Sequence, residues 1–457
     1  MTDTVYDMVI LGAGSGGYAA ALRGAQLGLR VALIEADKIG GTCLHRGCVP
    51  TKAILHSAET AEAVREAAAV GVRAAYQGLD MPAVQRYKNG VISRMYKGLQ
   101  GLVASRGIEV VGGWGRLVAR DTVEVSGRRY RGRNIVLATG SLSKTMGQEI
   151  SGPVMTSDQA LELDRVPASA VVLGGGVIGV ELASAWASMG SQVTIIEALP
   201  HLVPNEDEAI SKQLERAFRK RRIAFRTSTM FESVERTAAG VTVRTADGRT
   251  HDAEVLLIAV GRGPATANLG YEEVGVAMDR GFVLTDDYGR TNVEGVWAVG
   301  DIVPGVQLAH RGFAQGITVA EKIAGLDPRP VDDALVPKVT FCEPEIASVG
   351  LSEARAAELH GAENVTTSEF NVAGNAKSQI LGTQGFVKLV SLKDGPIVGF
   401  HAIGARMGEQ VGEGQLIVSW EADAHDVASL VHAHPTQNET IGEAAMVLAG
   451  KPLHNHG

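Results

Sequence analysis

Two doubly wound α/β units followed by an α+β domain is the architecture this sequence predicts. Three observations carry the prediction. A short apolar run twice ends in a glycine-rich turn, opens a helical stretch, and continues into a second apolar run closed by a glutamate. The first glycine and the closing acid are 23 apart in both copies, Gly12 to Glu35 and Gly174 to Glu197. Beyond about Val331 these turns stop, and strand-like runs precede helical ones. A repeat of roughly 160 residues is a duplicated domain, not a solenoid unit.

The elements follow in order. Residues 6–11 read as a strand running into Gly12-Ala13-Gly14-Ser15-Gly16-Gly17, residues 18–27 as a helix, and 29–34 as the next strand. The second copy has a strand at 170–173, the turn Gly174-Gly175-Gly176-Val177-Ile178-Gly179, a helix at 180–189 and a strand at 192–196. Companion strands close on further glycines: 135–138 on Thr139-Gly140, 255–260 on Gly261-Arg262, and 295–299 on Gly300-Asp301. Between 198 and 226, Ile210, Leu214 and Phe218 recur one turn apart and predict an amphipathic helix. Residues 338–341, 385–390 and 397–403 read as strands of the last domain. The boundaries follow: 1–143, to which 263–333 returns, then 144–262, and finally 334–457.

Composition narrows the function. The chain has 457 residues and 56 glycines, about 12% against an average of about 7%. There is no collagen period, so the surplus belongs to turns. The net charge of −8 argues against a nucleic-acid partner. The basic clusters at 128–133 and 219–222 read as solvated faces. No run of 18 apolar residues predicts a membrane span. The N-terminal stretch lacks the basic region of a signal peptide. With only three cysteines there is no extracellular disulfide framework, and the chain is expected to be cytoplasmic.

The motifs point to chemistry. In G-x-G-x-x-G the glycines permit a tight turn, close approach of a pyrophosphate, and close packing of helix on strand. The helix start offers unpaired N–H groups and partial positive charge to the phosphates. Glu35 and Glu197 stand where a carboxylate accepts hydrogen bonds from an adenosine ribose, and Glu197 would repel a 2′-phosphate, favouring NAD over NADP. The segment Gly40-Gly41-Thr42-Cys43-Leu44-His45-Arg46-Gly47-Cys48-Val49-Pro50-Thr51-Lys52 brings two cysteines five apart. In a regular helix that separation turns about 500°, roughly 140° off register. Gly47 and Pro50 would permit a distorted turn that lets the sulfurs meet, and a helix start favours a thiolate. A redox disulfide, metal ligands and inert buried thiols are the three readings. Zinc would require further ligands and usually C-x2–4-C spacing, so the redox reading fits best and no metal is expected. Cys342 reads as structural. Near the end, His434 precedes Glu439 by five. A histidine is the natural proton acceptor for a dithiol, and a carboxylate could orient it. His432 has the weaker case.

On these residues the chain resembles the pyridine nucleotide-disulfide oxidoreductases over essentially its whole length, through GAGSGGY, GGTCLHRGCVPTK, ATGS, GGGVIGVE, VGRGP, AVGDI and HAHPTQNE. The resemblance implies two Rossmann-like domains, one for FAD and one for NAD, and a C-terminal α+β dimerisation domain. FAD would lie on Gly12, Gly14, Gly17 and Glu35, with Gly140 and the Gly300-Asp301 pair nearby, and Gly41, Thr42, Lys52, Thr139, Gly261, Arg262 and Ala309 would be further cofactor-binding residues. NAD would lie on Gly174, Gly176, Gly179 and Glu197. Lys52 would sit by the flavin and pair with Glu181. Cys43 would be the interchange thiol and Cys48 the thiol facing the flavin. His434, oriented by Glu439, would be the base and would reach the disulfide of the other subunit, which implies a homodimer. The implied activity is oxidation of dihydrolipoamide on the lipoyl domains of an acyltransferase component of 2-oxo-acid dehydrogenase complexes. The alternative is reduction of a low-molecular-weight disulfide of the mycothiol or glutathione type. His45 and Arg46 replace the Asn-Val of many members and add charge near the thiols. The tail has no further cysteine pair, which argues against mercuric and high-molecular-weight thioredoxin reductases.

Overall fold

The strand Val5–Leu11 buries Met8, Val9 and Ile10 completely, so both its faces are covered. That is why it reads as a continuous apolar run and not as an alternation. In the computed structural model, which describes residues 5–455, it lies between Val31–Glu35 and Arg128–Leu137, parallel to both. Residues 1–4 and 456–457, including the start of the N-terminal stretch and His456 of the tail, lie outside the described residues. Glu109–Gly112 extends this sheet on one side and Val296–Ala298 on the other, both in parallel register. On its other edge Arg128–Leu137 serves two partners. Its first half pairs antiparallel with Thr122–Val125, and its last residues pair with Val296–Ala298. The first half alternates exposed arginines with buried Tyr130 and Gly132. Arg129, Arg131 and Arg133 pair with Glu124, Asp121 and Asp7 at the surface, so this basic cluster is a solvated face as expected.

The second sheet is wholly parallel, in the order Ala224–Arg226, Gln192–Ile196, Ser169–Leu173, Val255–Ile258, Val154–Met155. The amphipathic helix appears as Glu208–Lys220, capped by the Asp207 carboxylate, which accepts from the Ala209 amide at 3.1 Å. Ile210, Leu214 and Phe218 are fully buried on its inner face. The other basic cluster departs from expectation at Arg221. Its guanidinium donates to Ser184, Ser188, Glu62 and the Glu343 carbonyl, and only 16% of the side chain is exposed. Arg221 ends the helix and falls on its inner side, which a run of four cations hides.

A third sheet is antiparallel, in the order Lys338–Thr340, Glu345–Gly350, Ile397–Gly404, Phe386–Leu392, Val365–Asn371. Two of its strands escape the sequence reading. Val365–Asn371 is polar, and its inward positions are Ser368 and Phe370. Glu345–Gly350 begins directly after Pro344.

The chain divides into two compact units. One comprises Met1–Ala53, Pro82–Lys144 and Gly261–Asp333; the other comprises Ile54–Met81, Thr145–Val260 and Ala334–Gly457. Gly261 and Arg262 thus fall in the first unit. Within the second unit, the nucleotide-type sheet and the antiparallel sheet are joined by buried charge. Lys388 donates to Asp207 at 2.8 Å and to Glu353 at 2.6 Å, and Lys338 meets Glu206 at 3.2 Å. Removing one partner of such a pair leaves an uncompensated buried charge, which fixes the arrangement.

Candidate active site

The two glycine turns have one geometry. The Gly12 amide donates to Ile34 O at 2.9 Å, and the Gly174 amide donates to Ile196 O at 2.8 Å. The Glu35 carboxylate accepts from the amides of Ala13 and Asp37 at 2.7 and 2.8 Å. Glu197 accepts from the amides of Gly175 and Leu199 at 2.6 and 2.7 Å. The equal spacing seen in the sequence is therefore the span of a hydrogen bond from the turn to the end of the next strand. A Cβ at Gly17 would overlap the Gly12 carbonyl oxygen, and one at Gly179 the Gly174 carbonyl oxygen. Only glycine lets helix and turn approach this closely.

The helices Ser15–Gln26 and Val177–Met189 begin at the turns, three residues earlier than the sequence reading had them. Neither has a capping side chain, and the space a Cβ would take at Gly14 or Gly176 is open to 4 Å. Uncapped N–H groups beside an open glycine cradle suit the pyrophosphate of a dinucleotide. Both turns have the open backbone that a dinucleotide pyrophosphate would need.

Around the first turn the same unit gathers the other FAD candidates. The Gly40 amide donates to Ala13 O at 2.8 Å, and a Cβ on Gly41 would stand 2.7 Å from Gly14 Cα, so the cysteine segment lies directly on the turn. Thr42 follows, half-buried. Thr139 Oγ1 is 3.1 Å from the buried Tyr271 hydroxyl, and Gly140 has φ of 76° with open space on its Cβ side. The Asp301 carboxylate accepts from Ser141 Oγ at 2.5 Å. The Gly300 amide donates to Gln315 at 2.8 Å, and Ala309 opens an uncapped helix, Ala309–Ile323.

Arg262, expected to be cofactor-binding, donates to Ser141 Oγ at 2.8 Å, Ser141 O at 2.6 Å and Ser143 Oγ at 3.1 Å. The neighbouring Gly261 carbonyl accepts from the Lys144 amide at 3.0 Å. Ser141 thus links Arg262 to Asp301. Sequence reasoning missed this serine, although it ends the ATGS motif.

The cysteines sit on either side of a helix break. Gly41–Arg46 is one helix and Cys48–Glu66 the next, with Gly47 between them at φ −141° and ψ −109°. The break removes the register problem of a C-x4-C pair. Cys43 and Cys48 are within hydrogen-bonding reach of each other, the approach that the expected redox pair requires. That hydrogen bond, and then burial, push the Cys43 thiol well above its usual range, while Lys52 pulls the other way. The thiolate expected from a helix start is therefore not favoured at Cys43 beside Cys48. Burial, and then negative charge on Cys43 or Cys48, pushes the Tyr18 hydroxyl up to about 12.

His45 and Arg46 have partners of their own. His45 Nε2 lies 2.9 Å from Ile39 O with its ring against Tyr96, and Arg46 pairs with Asp37 at 2.8 Å. Cys342 is buried and donates to Pro344 O, which is a structural role.

In the second unit, Glu181 is buried in Val177–Met189 and accepts from the Phe341 amide at 2.8 Å. His434 is largely exposed. Its Nδ1 lies 2.7 Å from Glu439 Oε1, while Glu439 Oε2 accepts from the Thr436 amide at 2.7 Å. Burial raises the Glu439 carboxyl, but the Thr436 amide and His434 outweigh it and hold the group below its usual range. The structure therefore assembles a histidine–carboxylate dyad that the spacing alone only suggested. Among the described residues no helix is long and apolar enough to cross a membrane.

Residues 6–316 match the family described as pyridine nucleotide-disulphide oxidoreductase, and residues 336–445 match its dimerisation domain. The chain belongs to this family, whose cofactors are FAD and NAD. It is 37% identical to a dihydrolipoyl dehydrogenase of Bacillus subtilis, with 99% of each chain covered. Among solved structures it is similar to LpdA of Mycobacterium tuberculosis, with a TM-score of 0.90 and 26% identity over 96% of this chain and 99% of that one. It is also similar to the HOCl-induced flavoprotein disulfide reductase RclA of Escherichia coli, with a TM-score of 0.87 and 27% identity over 97% and 100%.

Proposed function

We propose that this protein oxidises protein-bound dihydrolipoamide to lipoamide and reduces NAD to NADH, serving a 2-oxo-acid dehydrogenase complex as a homodimer. In this reading, residues 1–143 with 263–333 hold FAD, 144–262 hold NAD, and 334–457 dimerise. The observation that carries it is the Cys43–Cys48 pair lying on the first glycine turn through the Gly41 contact. The activity named in its curated relatives supports it.

The chain's own residues perform the sulfur chemistry. With Nδ1 held by Glu439, His434 takes a substrate thiol proton at Nε2. The resulting thiolate attacks Cys43 Sγ of the oxidised pair in a second copy of the chain, and Cys48 leaves as thiolate. The second substrate thiol then attacks the mixed disulfide and closes lipoamide, its proton passing to Cys43, which leaves as a thiol. Lys52, one helical turn after Cys48, lowers the Cys43 thiol by its charge. FAD, when bound, supplies the two-electron chemistry that reoxidises the pair and reduces NAD.

The test is an assay matrix: NAD with dihydrolipoamide, then NADH or NADPH with lipoamide, glutathione disulfide and mycothiol disulfide. Fast turnover with dihydrolipoamide and NAD alone is expected. Preference for NADPH and a small disulfide would instead establish the reductase reading and refute the role given to Glu197.

A further inference from the structure

The loop carrying His434 is closed by a residue from another helix. Glu413, in Val411–Ser419, uses both carboxylate oxygens. Oε1 lies 2.7 Å from His432 Nε2, and Oε2 accepts from Asn438 Nδ2 at 2.6 Å. His432 and Asn438 flank His434, and Asn438 immediately precedes the helix Glu439–Leu448.

The His432 ring lies on that helix. A Cβ on Gly442 would stand 2.6 Å from His432 Nδ1 and 2.8 Å from its Cε1. Gly442 is three residues beyond Glu439, so ring and carboxylate share one helix face. His432 is 11% exposed and Glu413 23%, whereas His434 is 72% exposed.

We propose that Glu413, with His432 and Asn438, is a positioning clamp that holds His434 against Glu439 for the proton transfer. The proposal rests on the function proposed above. The groups facing His432 are the Glu413 and Glu439 carboxylates and the Leu430 carbonyl. The bond to Glu413 is the largest influence and raises the ring's pKa, burial opposes it, and the charge of Glu439 adds to the rise. A protonated ring donates to both Leu430 O and Glu413. With glutamine at 413, a neutral ring could still donate to Leu430 O and accept from the amide, while Asn438 keeps its acceptor. Alanine opens the loop.

The experiment compares Glu413→Ala, Glu413→Gln and parent holoenzyme. One arm measures dihydrolipoamide oxidation; the other measures NMR of ¹⁵N-labelled histidines. Glu413→Ala is expected to lower kcat between about tenfold and 10²-fold, the usual effect of a misplaced catalytic group. KM should stay near the parent value, and the Nδ1 signature of the His434–Glu439 bond should disappear. Glu413→Gln is expected to restore most of the rate and that signature, while His432 titrates at lower pH because its anionic partner is gone.

An alanine variant with parent kcat, or a glutamine variant as slow as alanine, overturns the clamp. Should the alanine variant not fold, His432→Gln is read by the same split. A parent protein inactive on dihydrolipoamide refutes the function instead. The clamp is then judged on NMR alone, and an unchanged His434 Nδ1 signal in Glu413→Ala overturns it.

Discussion

At the scale of single residues, roles separate by what each side chain touches. Glu439 spends one oxygen on the Thr436 amide and the other on His434, so it can orient an imidazole without moving itself. His434→Gln is expected to slow dihydrolipoamide oxidation by roughly 10²–10⁴-fold, the span of a general base. Stopped-flow reduction of the oxidised enzyme measures it, and an unchanged rate removes His434 from the mechanism. The lowered Glu439 pKa gives the sign of one pH effect. The stabilisation is present above the ordinary carboxyl value of about 4.3 and is lost as pH falls through the lower folded value. The two cysteines were legible from type and spacing, whereas His434 and Glu439 were only suggested by spacing and rested on the family resemblance. Glu413 and Ser141 were not legible. Glu413 lies 21 positions before His434 on another helix, and an acid in a helix gives no local sign of what it will meet.

At the scale of elements, the glycine turn and its helix are one device used twice. Gly17 and Gly179 are required by contact with a carbonyl oxygen and not by backbone dihedral; Gly12 and Gly174 have φ of 102° and 100° as well. Gly17→Val is expected to give protein that purifies with little or no flavin, read from the visible absorbance of the isolated dimer. Flavin content equal to the parent would show that the turn tolerates a side chain and is not the FAD cradle. The strand–turn–helix pattern was legible because periodicity and glycine placement are local. The polar strand Val365–Asn371 was not, since its pairing with Phe386–Leu392 rests on backbone hydrogen bonds that any sequence can make.

At the scale of the whole molecule, the base and the cysteine pair come from chain segments almost 400 residues apart. The proposed dimer joins them between copies. Co-expressed Cys43→Ser and His434→Gln chains should therefore regain activity that neither has alone, about a quarter of the parent level if half the dimers are mixed. No recovery in the purified mixed dimer would place the base and the thiols in the same chain.

The sequence by itself determined the two dinucleotide units, their glycine cradles, the acid closing each one, the cysteine pair and the candidate dyad. All are set by residues close in the chain or by repeat. Only the tertiary structure decided the use of Arg262 on Ser141, the burial of Arg221 and the contacts of Glu413. Each of these is a contact between distant segments, and a side chain's partner there depends on packing that no local pattern records.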